Sequence, residues 1–143
     1  MGRVIAVNTS DRKGIVKHQI EEGYFKVNHG LEGDAHAGNW HRQVSLLGVE
    51  SIEKIRALGI KVEAGKFAEN ITTEGIILYE LEIGTVLMAG EVLLEITQIG
   101  KECHLGCEIR RLVGDCVMPR EGVFAKVLKE GIIRSGDEIT VIK

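Results

Sequence analysis

Glycine constrains the fold of this chain more than any other sequence feature. The sequence has 18 glycines and one proline among 143 residues. Because glycine adopts positive φ at low cost, glycines between short apolar runs indicate many tight turns. This pattern favours a barrel or another strand-rich fold over a helix bundle. We expect a mainly β chain with short helices, folded as a single-domain β-barrel over residues 1–143.

The apolar runs predict strands along most of the chain, several of them with the alternation of a half-buried strand. The predicted strands are Arg3–Asn8, Gln43–Leu47, the hairpin arms Thr85–Met88 and Glu91–Ile99, Gly122–Leu128, and Glu138–Ile142. One helix is predicted over Gly48–Leu58, because its apolar residues recur on one face. We expect Glu50 to pair with Lys54 at i, i+4, and Gly59 to end the helix.

Composition and charge narrow the setting. The net charge of −3 gives no overall bias toward nucleic acid or anionic membranes. No apolar run approaches the ~18 residues of a membrane span, and the N-terminus enters a strand without the pattern of a secretory signal. Three cysteines do not form a closed disulfide set, which favours a reducing compartment. We expect a cytoplasmic protein that binds neither nucleic acid nor membrane.

The segment Gly100–Cys107 places two thiols beside an ammonium and an imidazole. A thiolate is both a nucleophile and a soft metal ligand, and the neighbouring Lys101 favours its ionised form. Cys103 is therefore the first residue to which we assign chemistry. The alternative is structural, because a free cysteine often packs as a small apolar residue.

Two further loops are rich in polar groups. Residues 28–42 contain three of the five histidines, several glycines and Arg42, whose guanidinium can bind a phosphate or carboxylate through two parallel hydrogen bonds. Residues 67–75 offer an amide, two hydroxyls and two acids. The first loop suggests an anion or metal site, and the structural alternative for both is ordinary turn and strand chemistry.

Five ordered motifs together resemble a known family, the MOSC domain found at the C-terminus of molybdenum cofactor sulfurases. They are Gly30–Gly38, Arg42–Leu47, Glu69–Gly75, Cys103–Cys107 and Gly114–Ala125. The resemblance implies a β-barrel with a cofactor-facing cysteine. It also implies that the chain binds a pterin-based molybdenum cofactor or handles sulfur destined for a metal–sulfur centre.

The resemblance suggests roles for particular residues. Cys103 is the first choice as persulfide carrier or molybdenum ligand, and Cys107 is the second. Larger relatives have Cys-x-x-Cys where this chain has Cys-x-x-x-Cys, so the assignment between the two stays open, whereas Cys116 is expected to be packed. The phosphate of a pterin cofactor needs polar contacts, for which the candidates are His36, Arg42, Asn70, Thr72, Thr73, Lys101 and Arg120. For Arg120, a salt bridge to Glu121 is an equal alternative.

The resemblance leaves several functions open. As a sulfur carrier, the chain would work with a cysteine desulfurase or with molybdenum cofactor biosynthesis proteins, and any pyridoxal phosphate would belong to that partner. Some relatives reduce N-hydroxylated compounds on a bound cofactor. A non-catalytic metal module would use Cys103, His104 and Cys107 with residues 34–41. A cofactor-free scaffold for biosynthetic partners is the third alternative.

Overall fold

The structure is a computed structural model that describes residues 2–11, 17–35, 37–57, 59, 69–100 and 121–142. Within these ranges the chain forms one α-helix, one short 3-10 helix and eleven strands. They are β1 (Gly2–Thr9), β2 (His18–Ile20), β3 (Glu22–Lys26), β4 (Gly30–Leu31), β5 (Val44–Gly48), α1 (Val49–Arg56), β6 (Ile71–Glu74), the 3-10 helix (Leu78–Glu80), β7 (Val86–Ala89), β8 (Val92–Ile99), β9 (Val123–Lys129), β10 (Gly131–Arg134) and β11 (Glu138–Val141). No helix in the described ranges has the length and apolar character needed to cross a membrane.

Seven strands close into a barrel. They follow the order β11, β7, β8, β9, β5, β6 and β1, and the pairing of β1 with β11 closes the ring. All pairs are antiparallel except β5 with β6, which are parallel and are separated along the chain by α1. The strand β2 adds to the edge of β1, and β10, β3 and β4 form a second, smaller sheet. The predicted mainly β barrel is therefore confirmed.

One registered row of side chains shows where the barrel interior lies. Val7, Ile71, Leu46 and Val123 are partners across β1, β6, β5 and β9, and all four are fully buried in one apolar cluster. Successive side chains of a strand point to opposite faces of the sheet. The residues next to this row in sequence therefore point to the outer face of the barrel.

The structure refines the predicted elements. The helix α1 is shorter than expected and buries Ile52 and Ile55 as its periodicity predicted. The expected pairing of Glu50 with Lys54 is wrong. Glu50 instead accepts a hydrogen bond from the Gly75 amide at 2.8 Å, because tertiary partners outcompete a weak pair along the helix.

Several strands were missed because their sequences are short or polar. The predicted hairpin is confirmed, with its reversal shifted by one residue to Gly90 and Glu91. The strands β2, β3, β4 and β10 were not predicted, and β6 lies in a segment described as a polar loop. Its Thr72 and Thr73 are fully buried between β5 and β1, which explains why a polar stretch forms a central strand.

Two glycines of the 28–42 loop provide a matched test of packing. Both Gly30 (φ +107°) and Gly33 (φ +88°) adopt positive φ. A Cβ on Gly30 would lie 2.4 Å from the Gln43 carbonyl oxygen, whereas one on Gly33 would meet nothing within 4 Å. We expect Gly33→Ala to cost about 1–2 kcal/mol through backbone strain. We expect Gly30→Ala to cost at least about 2 kcal/mol more, because overpacking adds to that strain. Urea unfolding of both variants measures the difference, and equal losses would contradict the close approach of Gly30 to β5.

Candidate functional site

The candidate site lies on the outer face of the barrel. It is a row of five side chains on neighbouring strands. In order across the sheet they are Asn8 of β1, Asn70 just before β6, Ser45 of β5, Phe124 of β9 and Gln98 of β8. The first four stand next to an inward residue of the buried row, and Gln98 pairs with Phe124, so this second row faces outward. It combines polar side chains with one aromatic ring, and the 28–42 loop packs against it.

One half of this row belongs to a buried polar cluster. The Asn70 Oδ1 accepts hydrogen bonds from the Ser45 amide at 3.0 Å and from its hydroxyl at 3.2 Å, and Asn70 Nδ2 donates to the Asn8 carbonyl at 3.3 Å. The Thr72 hydroxyl donates to Glu69 Oε2 at 2.7 Å and accepts from Asn8 Nδ2 at 3.1 Å. All five side chains are buried, and their bonds offset the cost of burying polar groups.

A buried ion pair attaches the 28–42 loop to this cluster. The Lys17 ammonium donates to Asp34 Oδ1 at 2.8 Å, and both side chains are inaccessible to solvent. The same oxygen accepts from the Thr9 hydroxyl and the Ser10 amide, each at 3.1 Å. Burial by itself would raise the pKa of Asp34, but hydrogen bonds from Lys17 and the Ser10 amide outweigh it and lower the pKa below its ordinary value.

Beside the other half of the row, a cation from the 28–42 loop lies within about 6 Å of two aromatic rings. The Arg42 guanidinium carbon lies 5.3 Å from the Phe124 ring centroid and 5.8 Å from that of Trp40. Its Nε donates to Gln98 Oε1 at 3.1 Å. Within the part of the chain that the structure describes, the two terminal nitrogens of Arg42 make no hydrogen bond or ion pair. This half-buried guanidinium thus keeps its forked donor pair available for an anion.

The residues around Arg42 also hold both ends of the cysteine-bearing segment. Gln98 Nε2 donates to the Gly100 carbonyl at 2.7 Å. The Gly100 amide donates to the Gly122 carbonyl at 2.6 Å, which brings the two ends of the intervening segment together. Residues 101–120 lie outside the described residues, and they include the predicted Cys103, Cys107, Lys101 and Arg120. The predicted His36 also lies outside the described residues.

The predicted contacts Thr72 and Thr73 face in opposite directions, because they are neighbours in one strand. The Thr72 hydroxyl joins the outer polar cluster. The Thr73 hydroxyl is buried with no hydrogen-bond partner in the described ranges, and it lies 3.8 Å from the position a Cβ on Gly48 would occupy. The structure therefore brings Asn70 and Thr72 together and separates Thr73 from both. The roles of all three as cofactor contacts stay predictions.

Glu121, the alternative partner of Arg120, has other partners. Its carboxylate accepts from the Ser51 hydroxyl at 2.5 Å and from Lys54 Nζ at 2.7 Å. The hydrogen bond to Glu121 raises the pKa of Lys54. Glu121 therefore links α1 to the strand β9, which begins two residues after Glu121.

The metal-module alternative depends on Cys103, His104 and Cys107, which lie outside the described residues. Among the described residues there is no group of three or more His, Cys, Asp or Glu side chains that could hold a metal ion. Two of the three histidines of the 28–42 loop lie in the described part. The Nε2 atom of His41 is hydrogen-bonded to Gln98 Oε1 at 2.9 Å, and the imidazole ring stands edge-on to the Trp40 ring.

Sequence reasoning missed Lys17, Gln98 and Phe124. A single lysine in a polar segment carries no signal of burial, and Phe124 resembles any strand phenylalanine. Gln98 occupies an outward position of a predicted strand, where a glutamine is unremarkable. Only the alternation of β8 could have placed it on the outer face, and a register irregularity between Ile96 and Gln98 alters that alternation locally.

The fold and the site together define a small closed β-barrel with a half-buried arginine beside the strand that leads into a cysteine-bearing segment. A family model for the MOSC domain matches residues 33–140. The chain belongs to the MOSC domain family, which is generally linked to molybdenum cofactor functions. The matched region begins one residue before Asp34 and includes Arg42, Asn70 and Gln98. A search of curated protein sequences gives no match.

Solved structures show the same fold. The YuaD protein from Bacillus subtilis superposes with a TM-score of 0.79 at 20% identity, covering 97% of this chain and 94% of that protein. YiiM from Geobacillus stearothermophilus gives a TM-score of 0.73 at 17% identity, covering 100% and 76%. YiiM from Escherichia coli gives 0.70 at 20% identity, covering 99% and 70%. At these identities the similarity establishes the fold alone.

Proposed function

We propose that this protein binds a pterin-based molybdenum cofactor, or carries sulfur for the assembly of a metal–sulfur cofactor, through the thiol of Cys103. The observation that supports the proposal is the Arg42 guanidinium, whose forked donors are available beside the strand that leads into the cysteine segment. Family membership supplies the link to molybdenum.

The described residues fit the phosphate of such a cofactor at one point. Arg42 offers two parallel N–H donors, and the flanking rings of Phe124 and Trp40 limit its side-chain motion. The Asn70 and Thr72 side chains are already used inside the polar cluster, so Arg42 is the anion contact that we propose. When bound, the cofactor would supply a metal that accepts thiolate sulfur.

Chain connectivity supports a thiol near this anion site. Gly100 is held by Gln98 and precedes Cys103 by three residues. Only two residues, Lys101 and Glu102, separate Gly100 from Cys103 along the chain.

In the sulfur-carrier form of the proposal, sulfur moves without net oxidation. The Cys103 thiolate attacks the outer sulfur of a persulfide on a partner. One S–S bond forms on Cys103, the partner's S–S bond breaks, and the partner's cysteine leaves as a thiolate. A cysteine desulfurase is the partner that we propose as persulfide donor, with the pyridoxal phosphate bound to the desulfurase. Molybdenum cofactor biosynthesis proteins are the proposed acceptors.

Intact mass spectrometry of freshly isolated, non-reduced protein tests this function. We expect a species heavier by one sulfur atom that reductant removes, or co-purified molybdenum and pterin. Peptide mapping then assigns the added sulfur to Cys103 or Cys107, with Cys103→Ala and Cys107→Ala as matched variants. Stoichiometric zinc together with thiols inert to alkylation would instead favour the metal-module alternative and overturn the proposal.

A further inference from the structure

We propose that Gln98 is a positioning residue that holds the Arg42 guanidinium and the start of the cysteine-bearing segment in a fixed relative orientation. Its single amide reaches both. Oε1 accepts from Arg42 Nε at 3.1 Å, and Nε2 donates to the Gly100 carbonyl at 2.7 Å. The inference rests on the proposed function only for the identity of the anion.

The chemistry of the neighbours determines the orientation of this amide. Its oxygen faces Arg42 Nε, which can only donate, and lies 2.9 Å from His41 Nε2. Its nitrogen faces a carbonyl oxygen, which can only accept. A flipped amide would set N–H against N–H and oxygen against oxygen, so one orientation is strongly preferred. The same bond requires a proton on His41 Nε2.

A local irregularity of β8 places Gln98 in this position. The pairing with β9 steps from Ile96 opposite Ala125 to Gln98 opposite Phe124, so Thr97 is an extra residue. The Thr97 hydroxyl contacts the carbonyl oxygens of His41 and Phe124. Bulges of this kind redirect side chains next to functional sites. The bulge here turns Gln98 toward the aromatic-flanked arginine and secures the residues on both sides.

Two substitutions separate the functions of the two ends of the amide. Gln98→Met removes both hydrogen bonds at nearly constant size and unchanged charge. Gln98→Glu retains an acceptor for Arg42 Nε but cannot donate to the Gly100 carbonyl, and its charge neutralises the guanidinium. Lys129→Gln is the control for Gln98→Glu, because it changes the net charge by the same amount. Lys129 is exposed at the end of β9, whereas Gln98 pairs with Phe124 near the start of that strand.

The experiment combines the Arg42 Nε–H resonance in ¹H–¹⁵N spectra, assigned by its loss in Arg42→Met, with inorganic pyrophosphate titrations by calorimetry. We expect slow exchange of this proton in the wild type and in Gln98→Glu, and fast exchange in Gln98→Met. We expect pyrophosphate affinity to fall about tenfold in Gln98→Met and at least about a hundredfold in Gln98→Glu, with Lys129→Gln within about twofold of wild type.

The outcomes distinguish this inference from the proposed function. Unchanged exchange of the Arg42 Nε–H in Gln98→Met would overturn the positioning role, whatever the protein binds. If the exchange rates follow the expected order but the wild-type protein does not bind pyrophosphate, Gln98 is supported as the positioning residue. The same result removes the anion site from the proposed function. If Gln98→Met does not fold, Gln98→Glu decides: fast exchange there overturns the inference.

Discussion

Lys17→Met is expected to lower the free energy of unfolding by about 3–5 kcal/mol at neutral pH. The ammonium of Lys17 lies 2.8 Å from Asp34 Oδ1, and neither side chain reaches solvent. Removing the cation leaves a buried carboxylate without its counter-charge, and that carboxylate also anchors the 28–42 loop to Thr9 and Ser10. Chemical denaturation followed by circular dichroism measures the loss.

The destabilisation should depend on pH in a definite direction. The folded protein holds the pKa of Asp34 below its unfolded value of about 3.9, so the wild-type contribution is present above that value and is lost as the pH falls through the folded pKa. Without Lys17, burial dominates and the pKa of Asp34 rises, so the folded variant takes up a proton at higher pH. The stability gap between the two proteins should therefore narrow between about pH 7 and about pH 4.

Two controls identify the source of this effect. Arg3→Met breaks an exposed ion pair with Glu74, and we expect it to cost less than about 1 kcal/mol. The double variant Lys17→Met/Asp34→Asn keeps an acceptor for Thr9 and Ser10 while removing both charges, and it should recover part of the loss. A cost for Lys17→Met no larger than that of Arg3→Met would contradict the burial of the pair.

Arg42→Met is expected to weaken pyrophosphate binding by about 10–100-fold. The guanidinium is half-buried beside Phe124 and Gln98 of the outer row, and its terminal nitrogens have no partner among the described residues. Methionine preserves much of the contact with Phe124 and Trp40 but offers no donor. Arg42→Lys should fall between wild type and Arg42→Met, because lysine keeps the charge without the planar fork. Calorimetric titration of the three proteins gives the affinities.

The matched control for this substitution removes the same group elsewhere. Arg3 lies near the start of β1, at the end away from Asn8 and the outer row, and Arg3→Met should leave pyrophosphate affinity within about twofold of wild type. Equal losses in Arg3→Met and Arg42→Met would indicate non-specific attraction to positive charge. Unchanged affinity in Arg42→Met would place the anion contact on other residues.

The two substitutions probe different parts of one outer face. Lys17 and Asp34 secure the 28–42 loop against the polar cluster, and the same loop ends in Arg42. Loosening the ion pair should therefore weaken anion binding as well as stability. By contrast, Arg42→Met should mainly change binding, because Arg42 makes one hydrogen bond within the described residues. This asymmetry separates a structural role from a binding role.

The sequence by itself determined the class of fold, the helix, most barrel strands and the family. These follow from local signals: glycine at turns, alternation in strands, and ordered motifs whose residue types need no partner to be recognised. It also singled out Arg42, because an arginine at the start of a predicted strand can offer its guanidinium fork to an anion. The polar strand β6 escaped prediction, since the buried Thr72 hydroxyl bonds to Asn8, a residue that only the fold brings near.

Only the tertiary structure decided which polar groups meet. Asn8 and Thr72 are 64 residues apart in sequence, and Arg42 and Gln98 are 56 apart. Their contacts depend on strand order and register, which alternation does not encode, because an apolar stripe pairs equally well with several neighbours. A single extra residue in β8 redirects Gln98, and the burial of Lys17 depends on the loop that covers it. Local pattern therefore specifies the elements, while the closure of the barrel selects the side chains that form the site.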